Sequence, residues 1–151
     1  EPLTTSARWA LTSLALSIPH APIIAQGVAA NMSGLAQAVT EDGGGIVDYC
    51  RVNNITIQAW SPLQSGTDAG VFLGSDAYPE LNAVIDRLAA QYDVPPIAIA
   101  TAWITRHPAG MQVVLGTTTP QRVADAAQGS DIPLTRPEWY ELFRASGHRV
   151  P

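Results

Sequence analysis

Residues 97–119 read IAIATAWITRHPAGMQVVLGTTT and carry the signals for a helix, a turn and a strand in succession. The part from Ile97 to Ile104 is apolar on nearly every side, which predicts a helix that is buried all round. Arg106-His107-Pro108 then supply residues that end a helix. Met111 to Gly116 is a short run of bulky and β-branched residues, which predicts a buried strand. A buried helix followed by a buried strand is typical of a parallel α/β sheet.

The segment before this stretch continues the alternation of strand and helix. Ile55 to Ser61 predicts another buried strand, because it is rich in β-branched and bulky residues and ends in turn-forming residues. Apolar residues between Pro79 and Tyr92 recur at the spacing of one helix face. Pro79 suits the first position of that helix. Pro95 and Pro96 then separate this helix from the buried one.

More distant segments add one strand and three helices. A weaker apolar run from Ser13 to Ile18 predicts a third strand, and Gly45 to Asn53 predicts a helix. Pro120 to Gln128 predicts a helix after the last strand. Thr135 and Glu138 have the spacing of a capping box, which predicts the start of a final helix.

This order of elements predicts one α/β domain over residues 1–151, with about three parallel strands and covering helices. Three strands are too few to close a barrel, and both sheet edges would keep unpaired backbone groups. Only 14% of the residues are charged, whereas about a quarter is usual for a soluble domain. Both features predict a surface that is covered by another subunit or by further chain.

The composition argues against several classes of protein. The formal net charge is −5, and the eight basic residues are scattered arginines with no lysine, so a nucleic-acid-binding protein is not expected. No apolar stretch approaches the roughly 20 residues that span a bilayer. A lone Cys50 forms no internal disulfide, and we expect a cytoplasmic protein. His20, His107 and His148 do not combine with Cys50 at metal-ligand spacing, so no metal site is predicted.

Residues with chemical potential follow two of the predicted strands. Trp60-Ser61-Pro62-Leu63 brings a hydroxyl and backbone amides to the start of a polar, glycine-rich loop. Gly116-Thr117-Thr118-Thr119 leads into a helix with Pro120 at its first position and Arg122 in its first turn. Free amides at a helix N-terminus, together with hydroxyls and an arginine, predict an anion site. The alternative is an ordinary capped helix whose Arg122 extends into solvent.

Three stretches carry a family resemblance. Residues 48–66, DYCRVNNITIQAWSPLQSG, resemble the seventh-strand region of the aldo/keto reductases, especially their bacterial oxidoreductase branch. Residues 98–123, AIATAWITRHPAGMQVVLGTTTPQRV, are similar to that family's segment around the last barrel strand. Residues 134–151, LTRPEWYELFRASGHRVP, resemble its C-terminal helix and tail. The likeness runs from about Leu14 onward, whereas residues 1–11 do not resemble the family.

The resemblance implies the C-terminal part of a (β/α)8 TIM barrel, strands six to eight, and an NADPH-dependent oxidoreductase that reduces carbonyls. Ser61 and Leu63, with the loop through Gly66, match positions around the cofactor pyrophosphate. Pro62 lies between them, and Trp60 closes the strand beneath.

The resemblance also implies a site for the adenosine half of NADPH. Gly116, with Thr117, Thr118 and Thr119, matches the loop that holds the phosphate of the adenosine ribose. Arg122 matches the residue that commonly favours NADPH over NADH. Asp125 and Ala126 match positions where the adenine rests.

The catalytic residues of the family have no counterpart in this alignment. The family uses a tyrosine, a lysine, an aspartate and usually a histidine from its first four strands, and this chain contains no lysine. Its Asn-Gln pair on the sixth strand aligns with Thr12-Ser13. We therefore expect a truncated aldo/keto reductase with weak NADPH binding, no catalytic residues and no activity of its own. The alternative is a non-catalytic interaction module that self-associates or completes a barrel with a complementary N-terminal half.

Overall fold

The structure, a computed structural model, describes residues 51–54, 56–60, 62–63 and 70–147. Its elements alternate as strand, two helices, strand, helix, 3-10 turn and helix. In chain order they are β1 (Gln58–Trp60), α1 (Pro79–Tyr92), α2 (Pro96–Thr105), β2 (Gln112–Val114), α3 (Pro120–Ala127), the 3-10 turn (Gln128–Asp131) and α4 (Arg136–Ala145). No helix in this part of the chain combines the length and the apolar character that crossing a membrane requires.

The two strands form a parallel sheet whose crossover contains α1 and α2. Gln58 pairs with Gln112, and Ala59 pairs with Val113. Ala59 belongs to the hydrophobic core, and Val113 is partly buried and packs against it. On the opposite face, Gln58 Nε2 donates a hydrogen bond to Gln112 Oε1 at 3.1 Å. The strands therefore turn Ala59 and Val113 toward the core, whereas Gln58, Gln112 and the exposed Val114 lie on the opposite face.

Helix α2 is the centre of the core. Every residue from Ala98 to Ile104 is buried, as the apolar pattern predicts. Thr101 is the one polar residue among them, and its hydroxyl donates to the Ile97 carbonyl at 3.0 Å, so burying it leaves no unmet donor. α1, β2, α3 and the 3-10 turn all pack against this helix.

Two tryptophans join α4 to α2. The rings of Trp103 and Trp139 stack with centroids 4.9 Å apart and planes 6° from parallel. Each indole nitrogen also donates to the backbone carbonyl of the other tryptophan, at 3.2 Å from Trp103 and 2.9 Å from Trp139. Stacking and reciprocal hydrogen bonds together fix the position of α4 along α2.

Gly129 allows the 3-10 turn to approach the backbone of α2. A Cβ atom at this position would meet the Ala98 carbonyl oxygen, and it would lie 2.7 Å from Thr101 Cβ and 2.8 Å from Ala102 N. Two of these three atoms are backbone atoms of a buried helix, which have little freedom to move. Only glycine fits this contact without a shift.

The capping box at the start of α4 also contacts α1. Glu138 accepts from the backbone N–H and hydroxyl of Thr135, both at 2.7 Å, and from the phenol of Tyr92 and the amide of Gln91, both at 2.8 Å. Burial alone would raise the pKa of Glu138, but these hydrogen bonds outweigh it and lower the pKa to about 2. Burial, and then the hydrogen bond and charge of Glu138, raise the pKa of Tyr92.

The sequence predictions agree with these elements in most places. The helices at Pro79–Tyr92 and Pro96–Thr105 and the capping box of α4 are confirmed. Both predicted strands are present, although each is regular over only three residues. The prediction that the second strand is buried is wrong, because Gln112 and Val114 are exposed and Val113 is only half-buried; the helices cover one face of this strand. The helix predicted to end at Gln128 ends at Ala127 and continues as the 3-10 turn. The predicted strand at Ser13–Ile18 lies outside the described residues, and so does most of the predicted helix before Asn53.

We predict that Gly129→Ala destabilises the fold by about 1–3 kcal/mol, because the new methyl group is forced against the α2 backbone. Urea denaturation followed by circular dichroism measures this change. Gly116→Ala is the matched control, since nothing lies within 4 Å of a Cβ at that glycine. Equal stability of the two variants would contradict the close contact.

We predict that Glu138→Gln lowers the free energy of unfolding at pH 7 by about 1 kcal/mol, since it weakens hydrogen bonds to a charged acceptor. The folded pKa lies below the ordinary 4.5, so the stabilisation is fully present above that pH and is lost as the pH falls toward about 2. Urea denaturation at several pH values should show the variant and the native chain converging in acid.

The control for this experiment is Glu141→Gln on the same helix. Glu141 pairs with Arg87 across an exposed surface, and such pairs contribute about 0–1 kcal/mol. A pH dependence of the Glu138 variant that matches the native chain would refute the assignment to Glu138.

Candidate functional site

The turns after the two strands border one cleft. Because β1 and β2 are parallel and in register, their carboxyl ends lie at the same edge of the sheet. The cleft at this edge has a volume of about 410 Å³, within the usual range for small-molecule sites. Its lining residues come from the two turns, the loop before α1 and the first turns of α2 and α3: Pro62, Leu63, Val71, Leu73, Pro95, Pro96, Ile97, Leu115, Gly116, Thr117 and Arg122.

Five residues of the predicted cofactor site lie together in this cleft. Pro62 and Leu63 come from the turn after β1, Gly116 and Thr117 from the turn after β2, and Arg122 from α3. The two turns lie next to each other although more than 50 residues separate them in the sequence. Ser61 and Gly66 lie outside the described residues, and Trp60 is described only by its backbone in β1.

The start of α3 favours an anion. Thr119 occupies the N-cap position, but its side chain makes no capping hydrogen bond; its backbone N–H donates to the Thr117 hydroxyl at 3.2 Å. Pro120 is the first helical residue. Arg122 follows in the first turn and adds a positive charge to the positive end of the helix dipole. A bound anion would relieve this unfavourable placement, and it could accept from the first-turn amides.

The other predicted site residues do not line the cleft. Thr118 and Thr119 are exposed beside it. Asp125 accepts a hydrogen bond from the side chain of Gln121 at 2.8 Å. Ala126 is fully buried, so its side chain has no free surface for a ligand.

One wall of the cleft was not predicted from the sequence. Val71 and Leu73 line it, and between them Phe72 is fully buried. The N–H of Phe72 donates to the Leu63 carbonyl at 3.1 Å, which ties this wall to the turn after β1. The sequence signal for this wall was the apolar run Val71-Phe72-Leu73 within a glycine- and serine-rich loop.

The side chain of Asn82 on α1 holds this wall in place. Its Nδ2 lies 2.9–3.1 Å from the carbonyl oxygens of Phe72, Ser75 and Tyr78. Its Oδ1 accepts from the N–H of Gly74 at 2.9 Å. The loop is therefore fixed to a helix by one amide group.

The described lining combines one cationic side chain with mostly apolar residues. Arg122 is the one ionisable residue among the lining residues that the structure describes, so they contain no acid/base pair for proton transfer. The described residues also contain no group of three or more His, Cys, Asp and Glu suited to a metal ion. This arrangement can hold an anionic ligand with an apolar portion.

Comparison with known proteins gives consistent relatives. The chain is 34% identical over 99 residues to a 6-dehydroglucose reductase of Agrobacterium fabrum, a match that covers 66% of this chain and 32% of the relative. It is 30% identical over 108 residues to a 6-dehydroglucose reductase of Novosphingobium aromaticivorans, covering 71% and 35%. A 9,11-endoperoxide prostaglandin H2 reductase of Trypanosoma cruzi is 27% identical over 95 residues, covering 63% and 30%.

These matches extend over most of this chain but over only about a third of each curated relative. The model of the aldo/keto reductase family matches residues 9–145. That range contains the cleft and all the helices and strands of the residues that the structure describes. The chain therefore belongs to the aldo/keto reductase family.

Proposed function

We propose that this chain forms the part of an NADPH site that holds the cofactor phosphates in a carbonyl-reducing oxidoreductase. The proposal rests on one observation: the turns after two parallel strands and Arg122 line the same cleft. In a (β/α)8 barrel, which the family implies, ligands bind at this carboxyl end of the strands.

The electrostatics of the cleft suit a phosphate. Arg122 and the N-terminus of α3 both contribute positive potential. The planar fork of an arginine pairs with two phosphate oxygens at once. NADPH carries a 2′-phosphate that NADH lacks, so an arginine here would favour NADPH.

The apolar lining suits the rest of the adenosine half. Leu63, Val71 and Ile97 come from three separate segments, so they could contact a sugar or a base from more than one side. Gly116 has open space where a Cβ would lie, which allows a ligand to approach the backbone.

We assign to this chain the binding of the cofactor, and we assign no catalytic residue to it. Bound NADPH would supply the hydride that reduces a carbonyl. The family's acid is a tyrosine beside a lysine, and the chain has no lysine. A tyrosine with its ordinary pKa of about 10 is a poor acid at neutral pH without a cationic neighbour. We propose that this chain reduces no carbonyl when it is alone.

A second candidate function is an interaction module, and the exposed sheet face favours it. Among the described residues, the helices cover the face that contains Ala59 and Val113, whereas Val114 on the other face is 43% exposed. Parallel sheets are normally covered on both faces. A copy of this chain or a complementary barrel half would supply that cover. Light scattering distinguishes the two candidates, because a module of this kind should not remain a monomer at micromolar concentration.

We predict that the chain binds NADPH more tightly than NADH. We also predict that Arg122→Gln lowers the affinity for NADPH by a factor of about ten or more. Isothermal titration calorimetry of the full chain with each cofactor measures this. Arg144→Gln is the matched control, since Arg144 is an exposed arginine in the last turn of α4 and does not line the cleft. Absence of heat with both cofactors in a folded sample would rule out the proposed site.

We predict that Asn82→Asp weakens NADPH binding several-fold and destabilises the fold by about 1–2 kcal/mol, because the loop loses its amide donors. The aspartate keeps an oxygen for the N–H of Gly74, so the test isolates the contacts to the three carbonyl groups. Calorimetry and urea denaturation on the same sample measure the two effects. Unchanged affinity at a lowered stability would show that the loop wall does not contact the cofactor.

A further inference from the structure

A second groove lies at the other end of α2. The cleft proposed to hold the cofactor phosphates, called the phosphate cleft below, opens at the start of α2, at Pro96 and Ile97. The second groove opens just after the end of α2, which is about 15 Å away for a helix of ten residues. Its volume is about 300 Å³. It is lined by two arginines, a histidine, a tryptophan, a tyrosine and a proline: Arg106, Arg136, His107, Trp139, Tyr140 and Pro108. The proposed function makes no use of this groove.

The two arginines are held in place with hydrogen-bond donors to spare. Arg106 donates from Nε to the Leu134 carbonyl at 2.9 Å, which fixes the guanidinium and leaves its two terminal nitrogens for other acceptors. Arg136 lies over the ring of Tyr140, 5.6 Å from its centroid. An arginine stacked in this way keeps its donors in the plane of the guanidinium.

The charged residues that line this groove are all positive. No carboxylate is among its lining residues, and Asp131 lines the neighbouring depression on the other side of Arg106. The two carboxylates of α4 bind side chains of α1: Glu138 binds Tyr92 and Gln91, and Glu141 pairs with Arg87. The structure shows no carboxylate paired with Arg106 or Arg136 in the part of the chain that it describes.

Arg136 is the first residue of α4, and Glu138 in the same first turn supplies the carboxylate of the capping box. That carboxylate also accepts hydrogen bonds from Tyr92 and Gln91 of α1. An oxyanion in the groove would interact favourably with both guanidinium groups.

The aromatic wall points to the rest of the ligand. Trp139 is held by its stacking and hydrogen bonds with Trp103, and Tyr140 meets it edge to face with ring centroids 5.1 Å apart. Both side chains are partly exposed in the groove. A rigid aromatic surface next to cationic groups suits a flat apolar body that carries an oxyanion.

We propose that this groove binds a small aromatic oxyanion, with a carboxylate or phosphoryl group at Arg106 and Arg136 and its flat body against Trp139 and Tyr140. The chemistry that the two ligand types share is an oxyanion on a planar apolar group. Benzoate and phenyl phosphate are the probes that distinguish them, and inorganic phosphate tests the oxyanion without the ring.

Calorimetric titration of the full chain with the three probes tests the proposal. We expect saturable binding of benzoate or phenyl phosphate, weaker binding of inorganic phosphate, and at least about tenfold loss of affinity in Arg136→Gln. Arg144→Gln changes the net charge equally on the same helix but lies outside the groove, so it should bind the probes like the native chain. Arg106→Gln is the second variant, and circular dichroism verifies that each variant is folded.

Three results would overturn the proposal. The first is that neither aromatic probe binds saturably, and the second is that Arg136→Gln and Arg144→Gln lose affinity equally. The third is that inorganic phosphate binds as tightly as phenyl phosphate. NADPH affinity measured on Arg136→Gln should be unchanged, because the phosphate cleft lies at the other end of α2. A negative result for this groove therefore leaves the proposed cofactor site unaffected, and the reverse also holds.

Discussion

The burial of α2 on every side is the constraint on which the rest of the structure depends. Seven consecutive residues of this helix, Ala98 to Ile104, are hidden from solvent. An apolar helix of this kind has no polar face to turn outward, so its neighbours must surround it. The helices α1 and α3, the strand β2 and the 3-10 turn do so, and Gly129 permits the close approach of the 3-10 turn. Both clefts described above open at the ends of this one helix.

The parallel register of β1 and β2 produces a cleft at the carboxyl ends of the strands. Parallel pairing places the turn after Trp60 beside the turn after Val114, and the loop that Asn82 fixes closes one side. No single segment forms the cleft; rigid elements bring short irregular segments together. This is the usual way in which α/β folds place a ligand at the carboxyl ends of their strands.

Arginines placed at helix ends give both clefts their positive potential. Arg122 lies in the first turn of α3, which contains no acidic residue, whereas Arg136 at the first position of α4 shares its turn with Glu138. A cation without an acidic neighbour at the positive end of a helix dipole is unfavourable, and this applies to Arg122.

Local pattern was sufficient to predict the capping box and those helices and strands that lie in the described residues, because each depends on residues a few positions apart. The apolar run of α2, the periodicity of α1 and the Thr135–Glu138 pair act within one or two helical turns. The meeting of Pro62, Leu63, Gly116, Thr117 and Arg122 was also predictable in outline, since parallel strands share an edge. The resemblance of these turns to one family supplied their chemical meaning.

Other features were decided only by contacts between distant segments. Trp103 stacks on Trp139, and Asn82 binds a loop, although the local sequence of each residue does not indicate its partner. The full burial of Ala126 likewise depends on distant segments. The groove at Arg106 and Arg136 exists because α4 packs across the end of α2. Local propensity determines which elements form, whereas close packing of side chains determines which surfaces remain open between them.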